Sequence, residues 1–250
     1  MVAGFFIGAA VCALIAVVSG LALSSGPLRT ALIIILVLTA VILAVAGIWM
    51  LALHNAFSYT GKRQMAKQII DGVASYVRIP DGGKGLDVGC GSAALTIAAA
   101  KNNPNAEITG ADIWSGAYKA VFTKELCENN AKAEGVSNVR FEQGNAVALP
   151  FENETFDAVF SNYVYHNIPS RDRQSILLES LRVLKPGGTF AIHDIFSKSK
   201  YGDMQAFCRK LWDMGYEQVE LIDTTEGKFM TRKEAFWMEL SGSAILYGRK

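Results

Sequence analysis

A short apolar run that leads into a glycine turn and then into an alanine-rich helical pattern is the feature that most constrains this chain. Residues 85–93 have the sequence Gly-Leu-Asp-Val-Gly-Cys-Gly-Ser-Ala. Gly89 and Gly91 allow the backbone to turn sharply and to approach a ligand closely, and a helix that begins here presents unpaired N–H groups at its N-terminus. The pattern therefore predicts a strand, a ligand-binding loop and a helix within an α/β domain.

Two acidic residues beside this loop indicate the kind of ligand. Asp87 lies two residues before Gly89, and a carboxylate at that position repels a pyrophosphate but attracts an ammonium group. Asp112 ends the next strand-like run, 107–112. It follows the glycines by about twenty residues, where an acidic group can hold two ribose hydroxyls. The expected ligand therefore carries both an ammonium group and a ribose.

Three further segments follow in the order of a known family: Gly144-Asn145-Ala146, the strand-like run 156–162, and the turn 184–190, Leu-Lys-Pro-Gly-Gly-Thr-Phe. Together with the glycine loop and the acid after it, they resemble the ordered motifs of class I S-adenosylmethionine (SAM) dependent methyltransferases over roughly residues 59–250. The resemblance implies an α/β fold with a doubly wound, mostly parallel seven-stranded sheet, SAM as the cofactor, and methyl transfer to a small molecule. The family usually has an acid at position 145, where Asn145 can still accept from the adenine amino group through its carbonyl oxygen.

The hydrophobic periodicity predicts the order of helices and strands. Strands alternate with helices, which implies a parallel sheet covered on both faces, and the resemblance implies that the last two strands form an antiparallel edge. The predicted helices span 60–77, 93–101, 117–134, 171–184 and 202–214, and the predicted strands span 85–88, 107–112, 138–142, 156–161, 189–195, 218–223 and 243–247.

Ligands of open α/β sheets bind beyond the carboxyl ends of the strands, where the strand order reverses. This rule selects the loops that follow the first, second and fourth predicted strands of the domain. Ile113 either presses on the adenine face or is an ordinary core residue. The expected cofactor-binding residues are Asp87, Gly89, Gly91, Asp112, Ile113, Asn145, Ala146, Ser161, Asn162 and Tyr163.

Methyl transfer from a sulfonium requires alignment of the acceptor, exclusion of water and, where needed, removal of a proton. His166 follows the fourth predicted strand and is the best candidate base, because histidine titrates near neutral pH. Packing or hydrogen bonding within the loop is the alternative role for this histidine. His193 and Asp194 end the fifth predicted strand, and we expect one of them to orient the acceptor.

The N-terminal part of the chain differs in composition from the rest. Residues 2–23 and 31–53 are uncharged apolar runs, and each is long enough to cross a hydrocarbon core of about 30 Å at about 1.5 Å per residue. A signal peptide is the alternative for the first run, but no basic segment precedes it and a second apolar run follows at once. We expect a transmembrane helical hairpin over 1–54 and a SAM-dependent methyltransferase domain over 55–250.

Charges and small residues near the two runs predict orientation and packing. The connecting loop carries Arg29, whereas Lys62, Arg63 and Lys67 follow the second run, so the N-terminus and the catalytic domain are expected to face the cytoplasm. Gly4 and Gly8 have the spacing of small residues at helix contacts. They are expected to pack within the hairpin, with homo-oligomer formation as the alternative.

The distribution of charged residues and cysteines limits the kinds of ligand that are expected. All 23 acidic residues and all but one of the 24 basic residues, the exception being Arg29, lie after residue 54, so that part is formally neutral and no nucleic-acid site is expected. The four cysteines are scattered without metal-ligand spacing, so no metal site is expected.

The short link between the second run and the helix 60–77 indicates the chemical class of the methyl acceptor. About six residues, at about 3.3 Å each, hold the pocket within roughly 20 Å of a bilayer, which favours a lipid, a quinone or another hydrophobic small molecule. Two alternatives remain open. One is a nicotinamide-dependent oxidoreductase that uses Gly89, Gly91 and Asp112. The other is a membrane-tethered protein that binds SAM without turnover.

Overall fold

The computed structural model describes residues 2–115 and 121–250. The chain divides into two compact units, Met1–Ala66 and Lys67–Lys250. The boundary lies about a dozen residues after the predicted one and falls inside a helix, Met65–Ala74. The two units are described separately.

The first unit is built from two long apolar helices, α1 (Val2–Ala22) and α2 (Pro27–Phe57). Both are long and apolar enough to cross a membrane. Proline at the first position of α2 fits because its missing N–H has no partner at a helix start. The two helices correspond to the runs predicted over 2–23 and 31–53, and α2 is longer than predicted at both ends.

Small residues bring α1 and α2 close together. A Cβ added at Gly47 would lie 3.0 Å from the Phe6 ring, and one added at Gly8 would lie 3.2 Å from Leu43. Gly4 has open space around it within the described residues. Gly8 therefore packs inside the hairpin, as expected, whereas Gly4 does not.

The second unit is a seven-stranded sheet with helices on both faces. The strand order is β3-β2-β1-β4-β5-β7-β6, and β7 is antiparallel to both of its neighbours. This confirms the predicted fold class. The elements are α3 (Met65–Ala74), β1 (Lys84–Val88), α4 (Ala94–Asn102), β2 (Glu107–Asp112), α5 (Lys124–Ala133), β3 (Val139–Gln143), β4 (Phe156–Asn162), a 3-10 turn (Tyr165–Asn167), α6 (Arg173–Arg182), β5 (Leu184–Ile195), α7 (Lys198–Tyr201), α8 (Met204–Asp213), β6 (Gln218–Asp223), α9 (Arg232–Trp237) and β7 (Ser243–Arg249).

Three predicted helices begin or end differently in the structure. The helix predicted over 60–77 is limited to α3, because Gln64 adopts a positive φ just before it. Of the helix predicted over 117–134, residues 117–120 lie outside the described part of the chain. Helix α5 begins after Thr123, whose side chain accepts from the N–H of Leu126 and so caps the helix. The helix predicted over 171–184 ends at Arg182, because Leu184 already pairs with Phe156 in β5.

Two short helices were not predicted, α7 with four residues and α9 with six. Helix α9 begins with a capping box, in which the Thr231 side chain accepts from the backbone of Glu234 and the Glu234 side chain accepts from the backbone of Thr231. The spacing of these two residues was a usable signal. The helix is only six residues long, too short for a clear hydrophobic period.

The centre of the sheet is fully buried and positions the loops at its carboxyl edge. Leu86, Val88, Val159, Phe190 and Ile192 are each at most 1% exposed. Apolar residues on consecutive positions are typical of parallel strands that are covered on both faces. Because β1 lies between β2 and β4, the strand order reverses at β1, and the loops after these three strands meet there.

Candidate active site

The glycine loop after β1 is locked onto β2 by backbone hydrogen bonds. The N–H of Gly89 donates to the carbonyl of Ala111 at 2.7 Å. Gly89 has φ +73°, and a Cβ added there would lie 2.4 Å from the Val164 side chain. Glycine is therefore required at 89 both for its backbone conformation and for the close approach of the segment after β4.

Asp87 is a buried carboxylate that lines a cavity at the carboxyl edge of the sheet. It is 1% exposed, and its Oδ2 accepts a hydrogen bond from the Thr96 hydroxyl at 2.6 Å. Burial raises the pKa of Asp87 to about 7, helped by repulsion from Asp112 and opposed by the hydrogen bonds from Thr96. No described residue supplies a positive charge to it. A cation bound in the cavity would therefore restore its ionised form.

Asp112 is held by backbone N–H groups on both of its oxygens. Oδ2 accepts from Gly91 at 3.0 Å, and Oδ1 accepts from Trp114 at 2.9 Å. A carboxylate has about four acceptor positions, so each oxygen can accept one more hydrogen bond. The side chain is therefore fixed in place and still able to bind a pair of hydroxyls.

The cavity has a volume of about 640 Å³. It extends from the glycine loop to the segment after β4, where Val164, Ile168 and Pro169 form an apolar wall, and Ile70 of α3 also lines it. Of the predicted cofactor-binding residues, the structure brings together Asp87, Gly89, Gly91, Asp112, Ile113, Asn145, Ala146, Asn162 and Tyr163 along this cavity.

The wall after β4 is held from behind by side chains of other strands. Tyr163 has a positive φ of 56°, and its hydroxyl lies 2.9 Å from Ser243 Oγ. Asp194 is fully buried and accepts from the N–H of Tyr165 at 2.8 Å and from the N–H of His166 at 3.3 Å. Its other oxygen lies 2.7 Å from Nδ1 of His166. Asp194 therefore fixes both the backbone and the ring of His166.

Comparison with known proteins gives the family. Residues 79–228 match the family model described as a methyltransferase domain. That segment makes up more than half of the chain. The chain belongs to the methyltransferase family.

Individual relatives agree with this assignment. The demethylmenaquinone methyltransferase of Bacillus subtilis (strain 168) is 30% identical over 182 residues, which cover 68% of this chain and 75% of that protein. The demethylmenaquinone methyltransferase of Anoxybacillus flavithermus (strain DSM 21510 / WK1) is 37% identical over 164 residues, which cover 61% and 66%.

A solved structure shares the fold at low identity. Geranyl diphosphate methyltransferase in complex with GPP and sinefungin superposes with a TM-score of 0.56 at 16% identity, covering 76% of this chain and 79% of that one. The family model and these relatives together identify the chain as a class I SAM-dependent methyltransferase. This decides against the oxidoreductase alternative.

The residues of the methyltransferase fit SAM. The buried carboxylate of Asp87 lacks a cation among the described residues, and SAM has an ammonium group. Gly91 also lines the cavity, and a Cβ added there would lie no nearer than 3.9 Å to a neighbour, the Phe122 ring, so the loop keeps open space on this side. The oxygens of Asp112 have capacity for the ribose hydroxyls.

The two residues expected to contact the adenine ring or its amino group, Asn145 and Ile113, both line the cavity. Asn145 is exposed and lines the cavity, and its Oδ1 accepts from the N–H of Val147 at 3.0 Å. The carbonyl oxygen expected to meet adenine thus also holds its own turn. Ile113 is 44% exposed and lines the cavity, which excludes the core role that was left open.

Four predicted site residues do not line the cavity. His166 and Asp194 are not among the residues that line it. The Ser161 hydroxyl is fully buried and donates to the carbonyl of Val88 at 2.7 Å. His193 is also fully buried, with Nδ1 2.7 Å from Asn162 Oδ1 and Nε2 3.0 Å from Thr224 Oγ1. Burial lowers the pKa of His193 to about 3, so it is neutral at physiological pH and does not contact the acceptor as expected.

Four residues that support the site were not identified from the sequence, because each contacts a site residue in another part of the chain. Thr96 orients Asp87 from the first turn of α4, and Val164 closes on Gly89. Thr224 and Ser243 support the wall after β4 from the far end of the chain. For Thr96, the position on the first turn of a predicted helix was a weak sequence signal. The hydrogen-bond partners of Thr224 and Ser243 depend on the order of the strands in the sheet, so no local sequence pattern predicted them.

Proposed function

We propose that this methyltransferase binds SAM along the glycine loop and transfers its methyl group to a quinol-like, membrane-soluble acceptor. The observation that carries the cofactor half is Asp87, a buried cavity carboxylate without a cationic partner among the described residues. SAM would place its ammonium group at Asp87 and its ribose hydroxyls at Asp112. Ile113, Asn145 and Ala146 would contact the adenine, and Asn162 and Tyr163 would line the other end, where the methyl group of SAM meets the acceptor.

Three observations support a hydrophobic acceptor. The part of the cavity after β4 is lined by Val164, Ile168 and Pro169. The two relatives described above are demethylmenaquinone methyltransferases. Helices α1 and α2 are long and apolar enough to span a membrane, and residues 58–64 form a short covalent link between α2 and α3. A lipid-soluble ring that partitions into the bilayer is the acceptor that such a link favours.

The reaction requires an electron-rich acceptor carbon. Bound SAM supplies an electrophilic methyl group on a sulfonium. A reduced quinol ring is nucleophilic at the carbon beside a hydroxyl, whereas an oxidised quinone is not. The ring carbon forms the new C–C bond, the sulfonium leaves as a neutral thioether, and the ring loses one proton. The chain must therefore align the two groups and accept a proton.

We propose His166 as the base. Asp194 holds its Nδ1 at 2.7 Å, and Nε2 has no hydrogen-bond partner among the described residues. The side chain is 14% exposed, and Val164 and Asn167, which flank residues 165 and 166 in the chain, line the cavity. Catalytic hydrogen bonds often tighten only when substrate is bound, so Nε2 is the group expected to take the acceptor hydroxyl proton.

We also propose that the catalytic unit faces the cytoplasm. Lys62, Arg63 and Lys67 follow α2, whereas the connection between α1 and α2 has Arg29 nearby, and basic residues favour the cytoplasmic side. Protease accessibility of the C-terminus in inside-out and right-side-out vesicles tests this orientation.

The function is tested with the full-length chain in phospholipid nanodiscs. Labelled SAM is supplied with a short-chain demethylmenaquinol kept reduced by dithionite, with the same compound oxidised, and with water-soluble catechols. We expect a labelled methyl group on the ring carbon of the reduced quinol, and much less product from the Asp87→Asn variant at the same SAM concentration. The exposed Asp81→Asn variant is the matched control and should retain activity. Methylation restricted to water-soluble compounds would refute the acceptor assignment.

A further inference from the structure

Behind the cavity wall, three side chains from different strands and loops form a buried hydrogen-bonded row. Asn162 ends β4 and lines the cavity. Its Oδ1 lies 2.7 Å from Nδ1 of His193, and Nε2 of His193 lies 3.0 Å from the Thr224 hydroxyl. His193 and Thr224 are both 0% exposed. The row therefore connects a cavity residue to a site that solvent does not reach.

The protons of this row can be assigned. His193 is neutral because burial lowers its pKa to about 3, so its ring carries one N–H. Because an amide oxygen only accepts, Nδ1 facing Asn162 Oδ1 must carry that proton. Nε2 is then an acceptor and requires a donor, which is the Thr224 hydroxyl.

Thr224 is free to act as that donor. Its hydroxyl lies 2.9 Å from the carbonyl of Ser243 as well as 3.0 Å from Nε2. The same carbonyl already accepts from the backbone N–H of Thr224 at 3.1 Å. The hydroxyl hydrogen can therefore turn to Nε2 without leaving a buried carbonyl unsatisfied.

The assignment starts from the orientation of the Asn162 amide, whose oxygen faces His193, and the same orientation sets which group Asn162 offers to the cavity. Because its oxygen is held by His193, its NH2 group is left for a ligand, and it has no partner among the described residues. Two other polar groups of the same wall, those of Tyr163 and Asn167, already have hydrogen-bond partners. Ser243 Oγ donates to the carbonyl of Leu240 at 2.7 Å, so the Tyr163 hydroxyl donates to Ser243. The Asn167 amide donates to the Tyr163 carbonyl at 3.3 Å.

We propose that Thr224 and His193 are positioning residues that hold the Asn162 amide with its NH2 group toward the cavity, where it donates to an oxygen of the methyl acceptor. This inference rests on the proposed function. A hydroxyl that loses its proton beside the reacting carbon develops negative charge, and a fixed N–H donor in a water-poor site stabilises such charge. The cofactor groups have other partners in Asp87, Asp112 and Asn145, so the acceptor is the ligand left for Asn162.

The decisive variant is Thr224→Val, which keeps the shape of the side chain and removes the donor to Nε2. Thr225→Val is its matched control. Thr225 is a neighbouring threonine, 6% exposed, whose hydroxyl donates to Asp223 at 2.7 Å rather than to the row. Thr224→Ser restores a hydroxyl and should behave as the wild type.

Three readouts are measured on the full-length chain in nanodiscs. Nitrogen-15 NMR of labelled histidine should show the Nδ1–H tautomer for His193, assigned by its loss in His193→Gln, and Thr224→Val should abolish or mix that tautomer. The kcat/KM for reduced short-chain demethylmenaquinol should fall about tenfold in Thr224→Val, since a lost hydrogen bond to a developing charge has a cost of that order. The Kd for SAM, measured by calorimetry without acceptor, should stay within about twofold.

Each contrary outcome has a distinct meaning. An Nε2–H tautomer in the wild type would overturn the assignment of the amide, whichever acceptor is used. A raised Kd for SAM with an unchanged kcat/KM for the quinol at saturating SAM would place the amide on the cofactor and overturn the acceptor role. Equal effects in Thr224→Val and Thr225→Val would show general destabilisation and overturn the positioning role. A wild-type chain that methylates no quinol would refute the proposed function, while the tautomer would still decide the state of the row.

Discussion

The two sides of the cavity are built in different ways. On the side of β1 and β2, the groups that face the ligand are backbone N–H groups and two carboxylates, and their supports are near in sequence, as with Thr96, nine residues from Asp87. On the side of β4, the wall is held by side chains that lie far along the chain, as with Ser243, 80 residues from Tyr163. A compact motif thus forms the proposed cofactor side, and long-range contacts form the proposed acceptor side.

The largest effect is expected on the cofactor side. Asp87→Asn keeps the shape but removes the charge that would pair with the ammonium group, so the Kd for SAM should rise about a hundredfold, typical of a lost buried charge pair. Calorimetric titration of the full-length protein measures it. Thr96→Val, which removes one hydrogen bond to the same carboxylate, should have a smaller effect of about tenfold. Equal SAM affinity in Asp87→Asn and wild type would contradict the assignment of the ammonium site.

Substitutions on the acceptor side should lower kcat and leave the affinity for SAM unchanged. His166→Gln removes the proposed base, and kcat for the reduced quinol should fall by about a hundredfold, as is typical for general bases, while the Kd for SAM stays unchanged. Asp194→Asn loosens the backbone of the wall as well as the ring, so it should raise KM in addition to lowering kcat. An unchanged kcat in His166→Gln would show that the histidine serves only the packing of the wall.

The ionisation of Asp87 predicts opposite pH trends for binding and for stability. Its pKa in the folded chain is about 7, above the ordinary value of 3.8. The folded state without ligand therefore holds this proton more tightly than the unfolded state, and its stability falls as pH rises from about 4 to about 7. SAM binds the ionised form, so below pH 7 its Kd should rise about tenfold for each unit of pH.

Both trends should be weaker in Asp87→Asn, which cannot ionise. Chemical denaturation between pH 4 and 8, paired with SAM titrations, checks the two signs in one series. A SAM affinity that is independent of pH from 5 to 8 in the wild type would be incompatible with a carboxylate that ionises near neutrality.

The same contrast explains how much of the molecule could be predicted from its sequence. The sheet, the hairpin and nearly all cofactor-side residues follow from local periodicity and from glycine and acid spacing. His193 was misjudged because only the pairing of β4 with β5, Asn162 with His193, shows that its ring faces Asn162. The role of Asp194 as an anchor for residues 165 and 166 likewise requires the third dimension, since 28 or 29 residues separate the partners.

The smallest expected effect concerns Asn145, where the chain departs from the family pattern. Its Oδ1 accepts from the N–H of Val147, and an aspartate would keep that turn with one oxygen and offer the second, charged oxygen to the adenine amino group. Asn145→Asp should therefore lower the Kd for SAM by about threefold, less than any change at Asp87, because residue 145 is exposed and water competes there. Calorimetry measures the gain, and sinefungin serves as a ligand that carries the same adenine without a methyl group to transfer. If Asn145→Asp binds both ligands more weakly than the wild type, the adenine does not lie against residue 145, and the cofactor must extend from the glycine loop in another direction.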